Sequence, residues 1–210
     1  MKDQVIADFL ASLGYEGTAQ TAALQVLVEA GLTRRGKARI ALNKKPLAEK
    51  TLGTRLYRTC TARVCQAGAN DASRGRMVVS AGKEHCQVCG GSDNALAVRQ
   101  MAEAMREADK TRLLVVGGTP AMAKELARLL PPPCEARFVL KDDKRATKEA
   151  GQEAGWADVI VIWASTPIAH KTTELYKQYK PITVARRGIS ALAGEVVTSL
   201  ARTGAAASGR

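Results

Sequence analysis

Apolar positions follow two different rhythms along the chain. From Asp3 to Leu13, the residues Val5, Ile6, Phe9, Leu10 and Leu13 recur at the spacing that lines one helix face, and Gly14 and Gly17 interrupt the pattern. Thr18 is placed to cap a second helix whose Leu24, Leu27 and Val28 face a core, with Gly31 ending it. Thr33 suits the cap of a third helix carrying Arg34, Arg35, Lys37 and Arg39. Pro46 suits the first turn of a fourth, with Leu47, Leu52 and Leu56 at its apolar positions. A further helix is expected over 94–109, where Ala97, Met101 and Met105 are spaced by four, and then the rhythm changes. Short apolar runs at 113–116, 136–140, 159–162 and 182–184 alternate with helical stretches at 120–130, 145–154, 167–176 and 190–200. Four successive strand–helix units predict a four-stranded parallel sheet covered on both faces, with right-handed crossovers.

Charge changes the picture of the first half. The chain of 210 residues carries a formal net charge of +12, which points to an acidic partner. Between Arg34 and Arg63 there are ten Lys or Arg against one acid, Glu49. A solvated basic face is the plain reading of such a run. The functional one is that Arg34, Arg35, Lys37, Arg39, Lys44, Lys45, Arg55 and Arg58 neutralise phosphates, with the third helix offered to a groove as in a helix-turn-helix module. Aromatic content of 4% leaves few stacking platforms, which favours duplex DNA or a structured RNA over single strands. No stretch approaches the length of a bilayer span, and Met1-Lys2-Asp3-Gln4 lacks the layout of a secretion signal, so a cytoplasmic protein without a membrane partner is expected.

Five cysteines in a chain with no export signal read better as metal ligands plus a spare than as disulfides. Cys60 and Cys65 form one pair, Cys86 and Cys89 a second, and twenty residues separate them. Two close pairs joined by a loop suit a tetrahedral zinc ion, and four thiolates close its shell, which argues for a structural ion over a catalytic one. The segment 73–79 reads as a turn entering a short strand, so a zinc-ribbon-like hairpin is expected around the ion. His85 is expected to be a bystander, and Cys134 a buried, unreactive thiol. The alternative for the quartet is four separate reduced thiols.

In parallel sheets, ligands lie beyond the carboxyl ends of the strands. There the chain places Gly117, Gly118 and Thr119 after the first strand, Ser165 after the third, and Arg186 and Arg187 after the fourth, a possible anion or ligand site. The three-glycine dinucleotide fingerprint and the P-loop lysine are both missing, and tight strand-to-helix turns need glycine anyway. His170 and Lys171 have no evident acid or nucleophile beside them in sequence, so no catalytic residue is expected and the protein is read as a non-enzyme.

Leu113 to Gly118, Ala157 to Ile162 with His170 and Lys177, and Val184 to Ser190 together resemble a bacterial Rossmann-like domain family of unknown function, over about residues 112–203. The resemblance implies a compact α/β module and carries over no catalytic residue. The expected organisation is therefore a helical basic segment (1–58), a four-cysteine zinc module (59–93), a Rossmann-like α/β domain (94–203) and a disordered tail of small residues (204–210). The function expected is that of a nucleic-acid-binding regulator or accessory factor, its α/β domain sensing a ligand, docking a protein or forming a homodimer. A subunit of a larger nucleoprotein assembly and a nucleotide-binding enzyme are the alternatives.

Overall fold

The computed structural model describes residues 3–140, 147–164 and 170–208. The chain forms two compact units, Met1–Ser92 and Asp93–Arg210. In the first, β1 (Asp3–Val5), α1 (Ile6–Ser12), α2 (Gly17–Glu29), β2 (Arg39–Ala41), α3 (Lys45–Arg55), β3 (Leu56–Thr59), α4 (Arg63–Ala72) and β4 (Met77–Ser80) follow in order. Phe9, Leu10, Leu27, Ile40, Leu52, Leu56 and Val79 share one buried core. Residues 59–92 therefore belong to the same unit as the basic segment, with Val79 in its core, and do not form a module of their own.

The third helix expected from Thr33 does not form. Residues 33–38 are loop, and 39–41 become β2, which pairs antiparallel with β1. The physical reasons lie in the segment itself. Between Leu32 and Ile40 no side chain is apolar enough to give a helix a face to bury, four cations crowd it, and Gly36 adopts a φ of +78°. Thr33 Oγ1, predicted to cap that helix, is buried without a hydrogen-bond partner among the described residues. Ile40 alone points inward while Arg39 stays exposed, the alternation of a strand. The first stripe is likewise divided, Asp3–Val5 extending into β1 before the helix begins at Ile6.

β3 and β4 also differ from expectation. They pair in parallel, Leu56 opposite Met77 and Thr59 opposite Ser80, because α4 crosses between them. A βαβ unit stands where the sequence predicts a zinc-ribbon hairpin. The turn at 73–76 is present, with Arg74 and Gly75 at positive φ, and it leads into β4.

The second unit is α5 (Asp93–Glu107), β5 (Arg112–Gly117), α6 (Pro120–Leu129), β6 (Glu135–Val139), α7 (Thr147–Trp156), β7 (Val159–Trp163), α8 (His170–Lys177), β8 (Ile182–Val184) and α9 (Ile189–Ser208). Its four strands form one parallel sheet in the order β6-β5-β7-β8. Alternate residues serve opposite faces. Leu113, Val115, Val161 and Trp163 pack with Met101, Leu126 and Leu192 from α5, α6 and α9, whereas Leu114, Val116, Ile160 and Ile162 pack with Ala150, Ala154 and Tyr176 from α7 and α8. The tail expected to be disordered from 204 continues α9 to Ser208, a stretch in which three alanines favour helix. Among the described residues no helix is long and apolar enough to cross a membrane.

Candidate metal centre and basic surface

The βαβ unit builds the cysteine site. Cys60 follows β3 directly, Cys65 lies in the first turn of α4, and Cys86 and Cys89 come from the segment beyond β4, so both strands deliver thiols at their carboxyl ends. The second pair sits on a tight knuckle in which Gly90 N donates to Cys86 O at 2.9 Å and Ser92 N to Cys89 O at 3.1 Å. Gly90 and Gly91 take positive φ there, and at Gly91 a Cβ would come within 3.2 Å of Glu84 Cα. Gln87, between the two ligand positions, ties the knuckle back to β3: Arg58 N donates to Gln87 Oε1 at 2.8 Å and Gln87 N to Arg58 O at 2.9 Å. Nothing in the residue type at 87 signals this role in advance.

All four thiols are buried and free, and their sulfurs lie within 4.8 Å of one another. A tetrahedral ion with metal–sulfur bonds of about 2.3 Å holds its sulfurs about 3.8 Å apart, so the quartet is on the scale of one ion. The four cysteines can therefore hold a metal. Burial raises the Cys86 thiol, but hydrogen bonds from the backbone of Cys89, Cys60 and Val88 outweigh it and bring it down to about 6. Burial pushes Cys65 and Cys89 up, and the neighbouring thiols add to the rise at Cys65. A soft, buried, all-sulfur donor set of this kind suits zinc or iron and leaves no position for water. His85 is outside the cluster, packed over Gly14, where a Cβ would meet its ring at 2.3 Å. Cys134 is buried apart from the cluster, its thiol raised by burial.

The predicted cations divide into two groups. Five have partners within the first unit. Arg39 donates to Asp3 O at 2.7 Å, Lys44 to Leu32 O at 3.4 Å, and Arg55 pairs with Glu29 at 3.3 Å. Lys45 lies 5.1 Å from the centre of the Phe9 ring. Arg58 donates to Leu13 O while its guanidinium sits 5.2 Å from the centre of the Tyr15 ring, so this side chain braces the turn between α1 and α2. Arg34, Arg35 and Lys37 form the second group, exposed on the loop before β2 and without an ion pair among the described residues.

In the second unit, the possible ligand residues have structural uses. Thr119 caps α6, accepting from Met122 N at 3.3 Å, with Pro120 in the first turn. Gly117 and Gly118 have φ of +108° and +94°, and a Cβ at Gly118 would lie 3.1 Å from the Trp163 ring. That ring is fully buried and donates its indole N–H to Arg186 O at 3.1 Å. The Arg186 side chain reaches Glu195 at 3.8 Å, and Arg187 is exposed. Ser165 lies outside the described residues. Compared with known proteins, the chain matches no family model, no curated protein and no solved structure, which leaves its own chemistry as the guide to function.

Proposed function

We propose that this chain is a nucleic-acid-binding accessory or regulatory protein whose basic first unit is held together by a structural zinc ion. The observation that carries the reading is that one fold supports both features. The four buried thiols gather beyond the carboxyl ends of β3 and β4, one of them from α4, and the same unit displays a cluster of exposed cations on the loop before β2. From Met1 to Ser92 there are fourteen Lys or Arg against seven Asp or Glu, an excess that favours a polyanionic partner. When bound, zinc supplies cross-linking and no reaction, because four sulfurs complete its tetrahedron.

The knuckle reaches the helical corner through Arg58, which is bonded to Gln87 by its backbone and to Leu13 by its side chain. In this reading metal binding supports the turn between α1 and α2 as well as the βαβ unit. The second unit, a parallel α/β sheet, serves in this reading as the sensing or docking half. Purified protein is expected to contain one zinc per chain by elemental analysis and to bind labelled duplex DNA or RNA. Stripping the metal with a chelator should abolish that binding, and re-adding zinc should restore it. Metal-free protein that binds as well as the loaded form would refute the proposed link.

A further inference from the structure

We infer that the nucleic-acid contact is the loop between α2 and β2, through Arg34, Arg35 and Lys37, and that it grips the phosphodiester backbone without reading bases. The inference rests on the nucleic-acid reading above and narrows it. Of the eight cations named as candidate phosphate contacts, the fold gives five a partner within the first unit: Arg39, Lys44, Lys45, Arg55 and Arg58 each meet a carbonyl, a carboxylate or a ring. At those five positions a phosphate competes with a partner already in contact with the cation. The three loop cations have no such competing partner among the described residues, and every residue from Arg34 to Arg39 is exposed.

The backbone at the loop decides what it can recognise. Reading a major groove takes a rigid element that carries several side chains to base edges in register. The loop offers none, since the helix expected there is replaced by turns at 33–38 and a three-residue strand. It is nonetheless well anchored. Leu32 and Ile40 are buried at its two ends, Lys44 Nζ holds Leu32 O, and β2 is paired to β1 through Gln4 and Ile40. A short cationic loop on fixed posts positions charge on phosphates, and phosphate contacts carry no sequence information.

Leu42 and Leu47 are exposed close by in sequence, at 42% and 56%. Apolar side chains beside cations also suit an anionic lipid surface. We favour the phosphate backbone of nucleic acid because the three cations precede these leucines on a separate loop and neither leucine belongs to a long amphipathic helix; α3 has 11 residues and only Ala48 and Leu52 buried.

The test uses the metal-loaded chain of 210 residues with short duplex DNA, duplex RNA of the same sequence, a scrambled DNA duplex, and vesicles containing phosphatidylserine. Three phosphate contacts predict an affinity loss of about 40-fold between about 50 and about 200 mM salt, whereas eight would give about 20,000-fold. The scrambled duplex should bind equally well, and the DNA and RNA arms show which backbone is preferred. The triple variant R34E/R35E/K37E should lose more than about tenfold in affinity. A control with the same change in charge on exposed sites of the second unit, K124E/K148E/R202E, should stay within about threefold. A salt dependence near the eight-phosphate value, or equal losses in both variants, overturns the loop footprint while the nucleic-acid reading stands. No binding to any duplex overturns that reading too, and binding to vesicles alone assigns the loop to a lipid surface instead.

Discussion

Asp158 shows how much one side chain can organise. It closes the turn from α7 into β7 and accepts four hydrogen bonds across to the neighbouring strand, from Thr111 N at 3.0 Å, Arg112 N at 2.9 Å, and Arg112 Nε and Nη2 at 3.3 and 2.9 Å. The Arg112 guanidinium holds its carboxyl well below the usual carboxylate range, against the opposing effect of burial, and the N–H groups of Thr111 and Arg112 help. A depressed pKa stabilises the fold at every pH above the unfolded carboxyl value and loses that contribution as pH falls toward the folded one. Asp158→Asn is therefore expected to cost the second unit about 2 kcal/mol at neutral pH. The gap between variant and parent should narrow steadily below about pH 4. Urea denaturation across a pH series measures it, and a gap independent of pH would mean that the geometry of the turn matters and the charge does not.

At the scale of elements, the parts legible in the sequence are those with a strong internal period. The runs Leu113–Val116 and Val159–Ile162 are apolar at every position because both faces of the sheet are covered, and both strands form where expected. The four cysteines are legible by spacing and come together. What surrounds them is not, because the helical character of Arg63–Ala72 depends on packing Cys65 and Ala69 inward, a pattern too sparse to see beforehand. Charge misleads in the opposite sense at 33–39, where cations suggest a recognition helix and the absence of apolar side chains denies one. The β3–β4 pair is only four residues long in each strand, and although Leu56 and Val79 reach the core, Met77 and Val78 are exposed, so a bound ion would add to the support that its hydrogen bonds and apolar contacts supply. Structural zinc in small sites contributes on the order of 10 kcal/mol. Removing the metal should therefore strip the amides of Tyr57–Thr59 and Val78–Ser80 of hydrogen-exchange protection while those of β5 and β7 keep theirs. Unchanged protection across β3 and β4 after chelation would show that packing, and not the ion, holds the pair.

Across the whole molecule, the two units draw their stability from different sources. The first has a core of modest side chains around Phe9, Leu27 and Leu52, four thiols, and a crowd of cations braced on carbonyls and rings. The second has an apolar sheet covered on both faces, with Trp163 and Tyr176 fully buried on opposite sides. Units with separate cores and different linkages unfold as separate cooperative events when neither core needs the other. Calorimetry of the metal-loaded protein is thus expected to show two transitions. A chelator should lower only the one belonging to the first unit, because a ligand stabilises the fold that binds it. Asp158→Asn should lower only the other, and combining both treatments should shift the two independently, since perturbations without shared partners add. A single transition moved by either treatment would mean that the units fold as one body, and that metal bound by four cysteines in the first half controls the stability of the α/β half as well.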